Sequence, residues 1–345
     1  VTQTTITWTR GGSSPQFTRV TFESSTDNVN YTPLGNGTAA GSNWTLTGLN
    51  LPTGVNIYLR ARGYYRSGYQ NGSESITESV RNAFELQALL GNISTRAFVQ
   101  TGNNVMIGGF IITGNGPIRV IVRAIGPSLV NHGITNPLQN PTLELHNHTG
   151  AVIAFNDNWM SAPNKQEIIN SGLAPTNNLE SAILMSLSPG NYTAIVRGVN
   201  NGTGIALVEA YDLDPTAGSK LGNISTRALV QTGNNVMIGG FIITGSGQER
   251  VIVRAIGPSL AQHGISNPLR NPTLELHDHT GAVIAFNDNW MNAPNKQEII
   301  NSGLAPTNNL ESAILTSLSP GNYTAIVRGV NNGTGVALVE VYGLN

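Results

Sequence analysis

The side chains best suited to chemistry lie in the last two thirds of the chain. All six histidines are there: His132, His146 and His148, then His263, His277 and His279. Two residues apart, His146 and His148 would share one face of a strand and could grip a metal with one further ligand. They border a turn signal, HNHTG, and no third ligand stands at a metal-site spacing, so exposed turn histidines are expected. The FNDNW segments (155–159 and 286–290) bunch side-chain oxygens, which makes Asp157 and Asp288 the calcium candidates. A loop of the EF-hand kind needs several carboxylates and a terminal Glu, and Asx residues also build turns through their own side chains. The turn reading is the simpler one. Glu167 and Glu180 could be imagined as a catalytic carboxylate pair, but Glu167 falls on a predicted helix and nothing points to a cleft between them. The chain has no G-x-S-x-G, H-E-x-x-H or phosphate loop, and no cysteine for a thiol nucleophile, a disulfide or a Cys-ligated metal. A protein without catalytic residues or cofactor is expected.

Composition narrows the classes further. Charged residues are 11% of the 345, less than half of the roughly 25% usual in soluble domains. Asn, Thr, Ser and 40 glycines take their place. A net charge of −1 offers no basic field to nucleic acid or anionic lipid. It also means weak mutual repulsion, which permits self-association. The longest apolar runs, such as VMIGGFII (105–112), are too short to span a bilayer. No leader peptide is visible and the first residue is Val1, so a trimmed or mature secreted product is expected, extracellular or at the cell surface.

A long internal repeat sets the elements that must carry these side chains. GNISTRAFVQTGNNVMIGGFIITG (91–114) returns as GNISTRALVQTGNNVMIGGFIITG (222–245), a shift of 131 residues, and the match runs to the C-terminal end. The period is domain-sized. Within each copy, RVIVRAIG (119–126), TLELH (142–146), AVIAF (151–155), YTAIVRGV (192–199) and IALVEAY (205–211) read as short strands separated by turn signals. SAPNKQEIINSG (161–172) reads as a short helix: Ser161 caps it, Pro163 suits the first turn, Ile168 and Ile169 face inward, and Gly172 ends it. Arg123, Glu144, Arg197 and Glu209 fall inside strand patterns. They are expected as cross-strand ion pairs on a solvent face, with a polar ligand groove as the alternative.

Residues 1–85 follow another pattern. TITWT, RVTFESSTDNVNYTPLG (19–35) and WTLTGLNLPTGVNIYLRARGY (44–64) resemble a fibronectin type III domain, with Trp8 matching the core tryptophan of that family's second strand. The family's corner tyrosine aligns with Ile57, next to Tyr58, so its corner hydrogen bond is not expected. The two copies resemble repeats of large secreted bacterial proteins through GNISTRA, NVMIGGFIITG, RAIGPSL, NDNW, LAPTNNLESAIL and SPGNYTAIVRG. They also look like jelly-roll modules attached to secreted bacterial peptidases, which implies binding or spacing rather than catalysis. The expected fold is therefore all-β: a fibronectin type III-like sandwich (1–85) and two jelly-roll-like sandwiches (86–214 and 215–345), each with one short helix.

The fibronectin resemblance implies a strand before TITWT, and the sequence opens without one. Residues 1–9 carry no side-chain charge and no proline to blunt a bare strand edge. Either a neighbouring subunit supplies a strand, as in pilin assembly, or Val1 marks a trimming boundary. The first alternative makes the chain a self-assembling extracellular filament subunit, with Val1, Gln3, Thr5 and Thr7 in the contact and itself as partner. The other readings are an adhesin or carbohydrate-binding arm, whose tandem copies supply avidity for glycans or a cell surface, and a non-catalytic accessory to a secreted hydrolase. Asn30, Asn36, Asn43, Asn71, Asn92, Asn147, Asn191, Asn201, Asn223, Asn322 and Asn332 open N-x-S/T sequons and are candidate glycosylation sites.

Overall fold

The computed structural model describes the chain apart from residues 53, 67–71, 85–87, 215–218 and 345. It is predominantly β, with a few short helices. Two compact units emerge: Val1–Ala88 with Gly245–Gly247, and Leu89–Thr244 with Gln248–Asn345.

The first unit contains β1 (Thr5–Thr9), β2 (Arg19–Ser25), β3 (Thr32–Asn36), β4 (Thr38–Ala40), β5 (Asn43–Thr47), β6 (Asn56–Tyr65) and β7 (Ser75–Phe84). They form two antiparallel sheets, ordered β1-β5-β4 and β3-β2-β6-β7. Two-residue alternation explains the core. Ile57, Leu59 and Ala61 of β6 point inward and meet Val20 and Phe22 of β2, Ile6 of β1 and Leu51. Trp8, expected as a buried residue, is half-exposed at the rim of this cluster and stacks on Phe17 at 5.0 Å between ring centroids. Phe17 lies so close over Gly63 that a Cβ there would stand 2.7 Å from the ring.

The second unit holds both copies. Copy one contributes β8 (Leu89–Val99), β9 (Met106–Gly114), β10 (Ile118–Ile125), β11 (Pro141–His146), β12 (Val152–Asn156), β13 (Ser181–Leu187), β14 (Gly190–Gly198) and β15 (Gly204–Asp212). Copy two contributes β16 (Ser219–Val230), β17 (Met237–Thr244), β18 (Glu249–Ile256), β19 (Pro272–His277), β20 (Val283–Asn287), β21 (Ser312–Leu318), β22 (Gly321–Gly329) and β23 (Gly335–Gly343). All five strand runs read from the sequence of copy one are present. In place of two sandwiches following one another, the copies share their sheets. β8 pairs with β15 of its own copy and with β17 of the other. Reciprocally, β16 pairs with β23 and with β9. Two runs of eight strands result, β13-β10-β15-β8-β17-β22-β19-β20 and β21-β18-β23-β16-β9-β14-β11-β12, linked where β8 meets β16 at Phe98 and Leu229. The registers are equivalent: Arg96 faces Ile238 across one junction and Arg227 faces Ile107 across the other. That equivalence defines a pseudo-two-fold axis through Phe98 and Leu229, which are corresponding positions of the two copies.

Each copy has one α-helix, α1 (Lys165–Asn170) and α2 (Lys296–Asn301). The helix is shorter than the sequence suggests. It starts at Lys165 rather than after Ser161, because Trp159–Ser161 turns as a separate 3-10 segment. Ile168 is buried beside Trp159 and Ile121, whereas Ile169, expected inward, points to solvent. Six residues supply only one inward stripe position of this kind. Gly172, at φ +73°, ends the turn as anticipated.

Candidate functional site

Four places bring together side chains or backbone groups that could act on something outside the fold: the β1 edge, the β12 and β20 edges, and two polar clusters on each copy.

At β1 the strand starts at Thr5, four residues later than the alternation of Val1, Gln3, Thr5 and Thr7 suggests. Thr2 N–H donates to Thr5 O at 2.8 Å and Thr5 N–H to Thr2 O at 3.3 Å, closing a tight turn. Gln3 O accepts from Leu51 N–H at 2.9 Å. Arg10 N–H bonds Ser42 O, so by alternation Trp8 and Ile6 turn their backbone groups toward β5, and Thr7 and Thr9 turn theirs away. Among the described residues no strand pairs with this side, so the open rim is Thr7–Thr9; Thr5 is already satisfied within the chain. At the other end, where Leu51 meets Gln3, a cleft is lined by exposed Val1, by Leu51, Pro52 and Ile57, and by Arg81, Asn82 and Ala83 of β7.

The first polar cluster is buried. Arg123 and Glu209 face each other across β10 and β15 and pair at 2.5 Å. Arg123 also donates to Leu173 O at 2.6 Å, and Tyr211 OH to Glu209 at 2.8 Å. Cross-strand pairing is as expected, but the location is not the solvent face: the segment after α1 covers it. Burial, reinforced by the Glu209 charge, pushes the Tyr211 phenol up to about 12. Arg254, Glu340 and Tyr342 repeat the arrangement.

The second cluster is half-exposed on β11 and β14. Glu144 Oε2 takes hydrogen bonds from His146 Nε2 at 3.1 Å and Arg197 Nη1 at 3.0 Å. Burial works against the Glu144 charge, but these donors outweigh it and hold the carboxyl below its usual range. Phe155 of β12 sits directly opposite Glu144 and is mostly exposed. Glu275, His277, Arg328 and Phe286 match it in copy two.

The remaining candidates are dispersed. His146 Nδ1 lies 3.0 Å from Gly150 O, while His148, His279, His132 and His263 are exposed in turns or at 3-10 ends, so His146 and His148 do not share a strand face. Among the described residues no three His, Cys, Asp or Glu side chains come together as a metal site. Asp157 and Asp288 stand alone as carboxylates in their loops. Their neighbours Asn156 and Asn287 act on backbone, accepting the N–H of Ala182 and of Ala313, each at 3.0 Å. Glu180 is fully buried and accepts from Gly126 N–H, Ser128 N–H, the Ser128 hydroxyl and Asn177 N–H. Glu167 is exposed and pairs with Arg119 at 3.4 Å. One carboxylate organises a loop and the other decorates a surface. Sequon residues Asn92 and Asn223 are 5% exposed inside β8 and β16, where the fold leaves no room for a glycan. Asn30, Asn36, Asn191, Asn201, Asn322 and Asn332 are exposed, Asn43 and Asn147 are half-buried, and Asn71 lies outside the described residues. Among the described residues, no helix is long and apolar enough to cross a membrane.

Comparison with known proteins adds little. No family model and no curated protein matches the chain. Among solved structures, an α-L-rhamnosidase from Dictyoglumus thermophilum is 8% identical at a TM-score of 0.20, covering 98% of this chain and 44% of its own. An α-L-rhamnosidase from Aspergillus terreus is 9% identical at a TM-score of 0.14, covering 93% and 45%. The chain spans less than half the length of either enzyme, and likenesses this weak bear on neither fold nor activity.

Proposed function

We propose that this chain is a non-catalytic structural subunit of an extracellular filament or surface appendage, joined head to tail by strand complementation at the first unit. The β1-β5-β4 and β3-β2-β6-β7 sheets fit a fibronectin type III-like sandwich, and each copy of the repeat fits a jelly-roll-like module. The observation that carries the reading is the Thr7–Thr9 rim, which no described strand covers. An incoming strand would pair along the rim through its backbone groups. Glu180 organises a buried loop and Glu167 pairs with Arg119 at the surface, which supports structural roles for both.

Thr7→Pro tests this directly. The Thr7 N–H faces away from β5, so proline removes a donor that only an incoming strand would use. Wild-type protein should form fibres in dilute negative-stain samples, and Thr7→Pro should lose those fibres at the same dilution with an unchanged circular dichroism spectrum. Wild type remaining as single particles at every concentration, or fibres unaffected by the substitution, defeats the proposal. A carbohydrate-binding arm is the second reading. It is favoured by the exposed Phe155 ring opposite the Glu144–Arg197–His146 cluster, a flat apolar face beside fixed hydrogen-bonding groups. Glycan binding by a discrete monomer would establish it instead.

A further inference from the structure

The two eight-stranded runs of the second unit end on four edge strands, and the protein treats them in two ways. At β13 the edge is blunted by side chains. Asn156 Oδ1 accepts the Ala182 N–H at 3.0 Å, and Asn164 Nδ2 donates to Leu184 O at 2.8 Å. β21 is blunted identically by Asn287 and Asn295. Among the described residues, no other strand pairs with the outward side of β12 or β20. Both have the sequence VIAFN, without a charge or a proline. A bulge at Ile153 sets Val152 opposite His146 and Phe155 opposite Glu144, so both apolar side chains emerge on one face. Val152 is 56% and Phe155 58% exposed; Val283 and Phe286 match them at 56% and 59%.

We propose that β12 and β20 are self-association edges and that their occupant is a second copy of this chain. β12 of one molecule pairs antiparallel with β12 or β20 of the next. Three observations select that occupant. The two copies of the repeat already join one another by continuing their sheets across β8–β17 and β16–β9, so sheet continuation is how this module meets its own kind. Uncharged edges on a molecule of net charge −1 oppose a like edge with little repulsion. Both open edges carry one sequence related by the pseudo-two-fold, so any pairing that suits one end suits the other. An isologous contact repeated at two ends of a molecule does not close, and it generates a linear chain. This interface is separate from the β1 rim.

The test uses the full chain carrying Thr7→Pro, which silences the β1 rim, in sedimentation velocity over a concentration series. Chains that lengthen with concentration are expected. Phe155→Lys alone or Phe286→Lys alone should stop growth at dimers, and the two together should leave monomers, with association weakened about tenfold or more per blocked edge by the apposed like charges. Both side chains are exposed, so thermal melting should be unchanged. Should either variant fold poorly, amide exchange at β12 in the unsubstituted chain, slowing as concentration rises, reads the same contact. A Thr7→Pro chain that stays monomeric throughout, or a double-lysine variant that associates like its parent, overturns the proposal. So does a monomer that binds a soluble glycan through Phe155. The double-lysine variant with Thr7 intact reports on the β1 rim alone, so the two interfaces fail separately.

Discussion

β1 and β8 each open a compact unit of this molecule, and each has two sides to satisfy. Among the described residues β1 has one strand partner, β5, and a turn at Thr2–Thr5 that covers only the start of its other side. β8 has two strand partners along most of its length, one from each copy of the repeat. The difference is not one of composition: TITWT and GNISTRAFV are both uncharged or nearly so and rich in β-branched residues. What separates them is the presence of a second copy of the same module in the chain. Where a duplicate exists, it supplies the missing neighbour; in the first unit there is no duplicate, and a rim remains.

Amide exchange should show the largest contrast. The β8 and β16 amides should exchange only when the second unit unfolds, while the Thr7 and Thr9 amides should exchange roughly a thousandfold faster or more. Equal protection in dilute protein would show that β1 has an intramolecular neighbour. Next in size is Phe98→Ala. Phe98 packs against the apolar clusters of both copies, around Ile125 and Leu129 on one side and Ile256 and Leu260 on the other. Its loss should cost about 3 kcal/mol and lower the melting of the second unit by roughly 6–12 °C, with both copies still melting in one calorimetric transition and the first unit unmoved. Two separate transitions would mean that the copies are not one cooperative body.

Leu229→Phe sharpens the comparison at lower cost. The axis pairs Phe98 with Leu229, so corresponding positions of two near-identical copies carry different side chains where they meet. A second phenylalanine should overpack the junction by about 1–3 kcal/mol. The smallest effect is alkaline. The folded Tyr211 phenol is held at about 12 by burial, above the 10.0 of a solvent-exposed tyrosine. Stability from keeping it neutral is complete below pH 10 and is lost as pH rises from there through 12. Absorbance titration should find Tyr211 ionising late, and Tyr211→Phe should diminish that late component, with Tyr342, likewise pushed up by burial, supplying the remainder.

Strand content and the duplicated sequence were legible because alternation and repetition are local signals. The runs at 119–126, 142–146 and 192–199 specify their own pleat, and Gly172 its own stop. The sharing of sheets was not legible, because β8 pairs with residues more than a hundred positions away and either copy could close on itself with the same alternation. For the same reason Arg123 and Glu209 could be paired from sequence but not buried: the segment that covers them, around Leu173, belongs to a different element. The blunted β13 edge was hidden in FNDNW, where Asn156 resembles a turn residue or a metal ligand until its Ala182 partner is known. At the amino end, strict alternation over residues 1–8 concealed the Thr2–Thr5 reversal, which polar threonines tolerate as readily as a strand.

The pairing of β8 with β17 and of β16 with β9 also bears on inheritance. Near-identical tandem tracts in a gene invite recombination that deletes one of them. Here such an event would remove 131 residues and leave a lone module whose first and second strands had both lost their complement. That shortened product could regain it only from a sister polypeptide, turning a contact within one molecule into an obligate one between two.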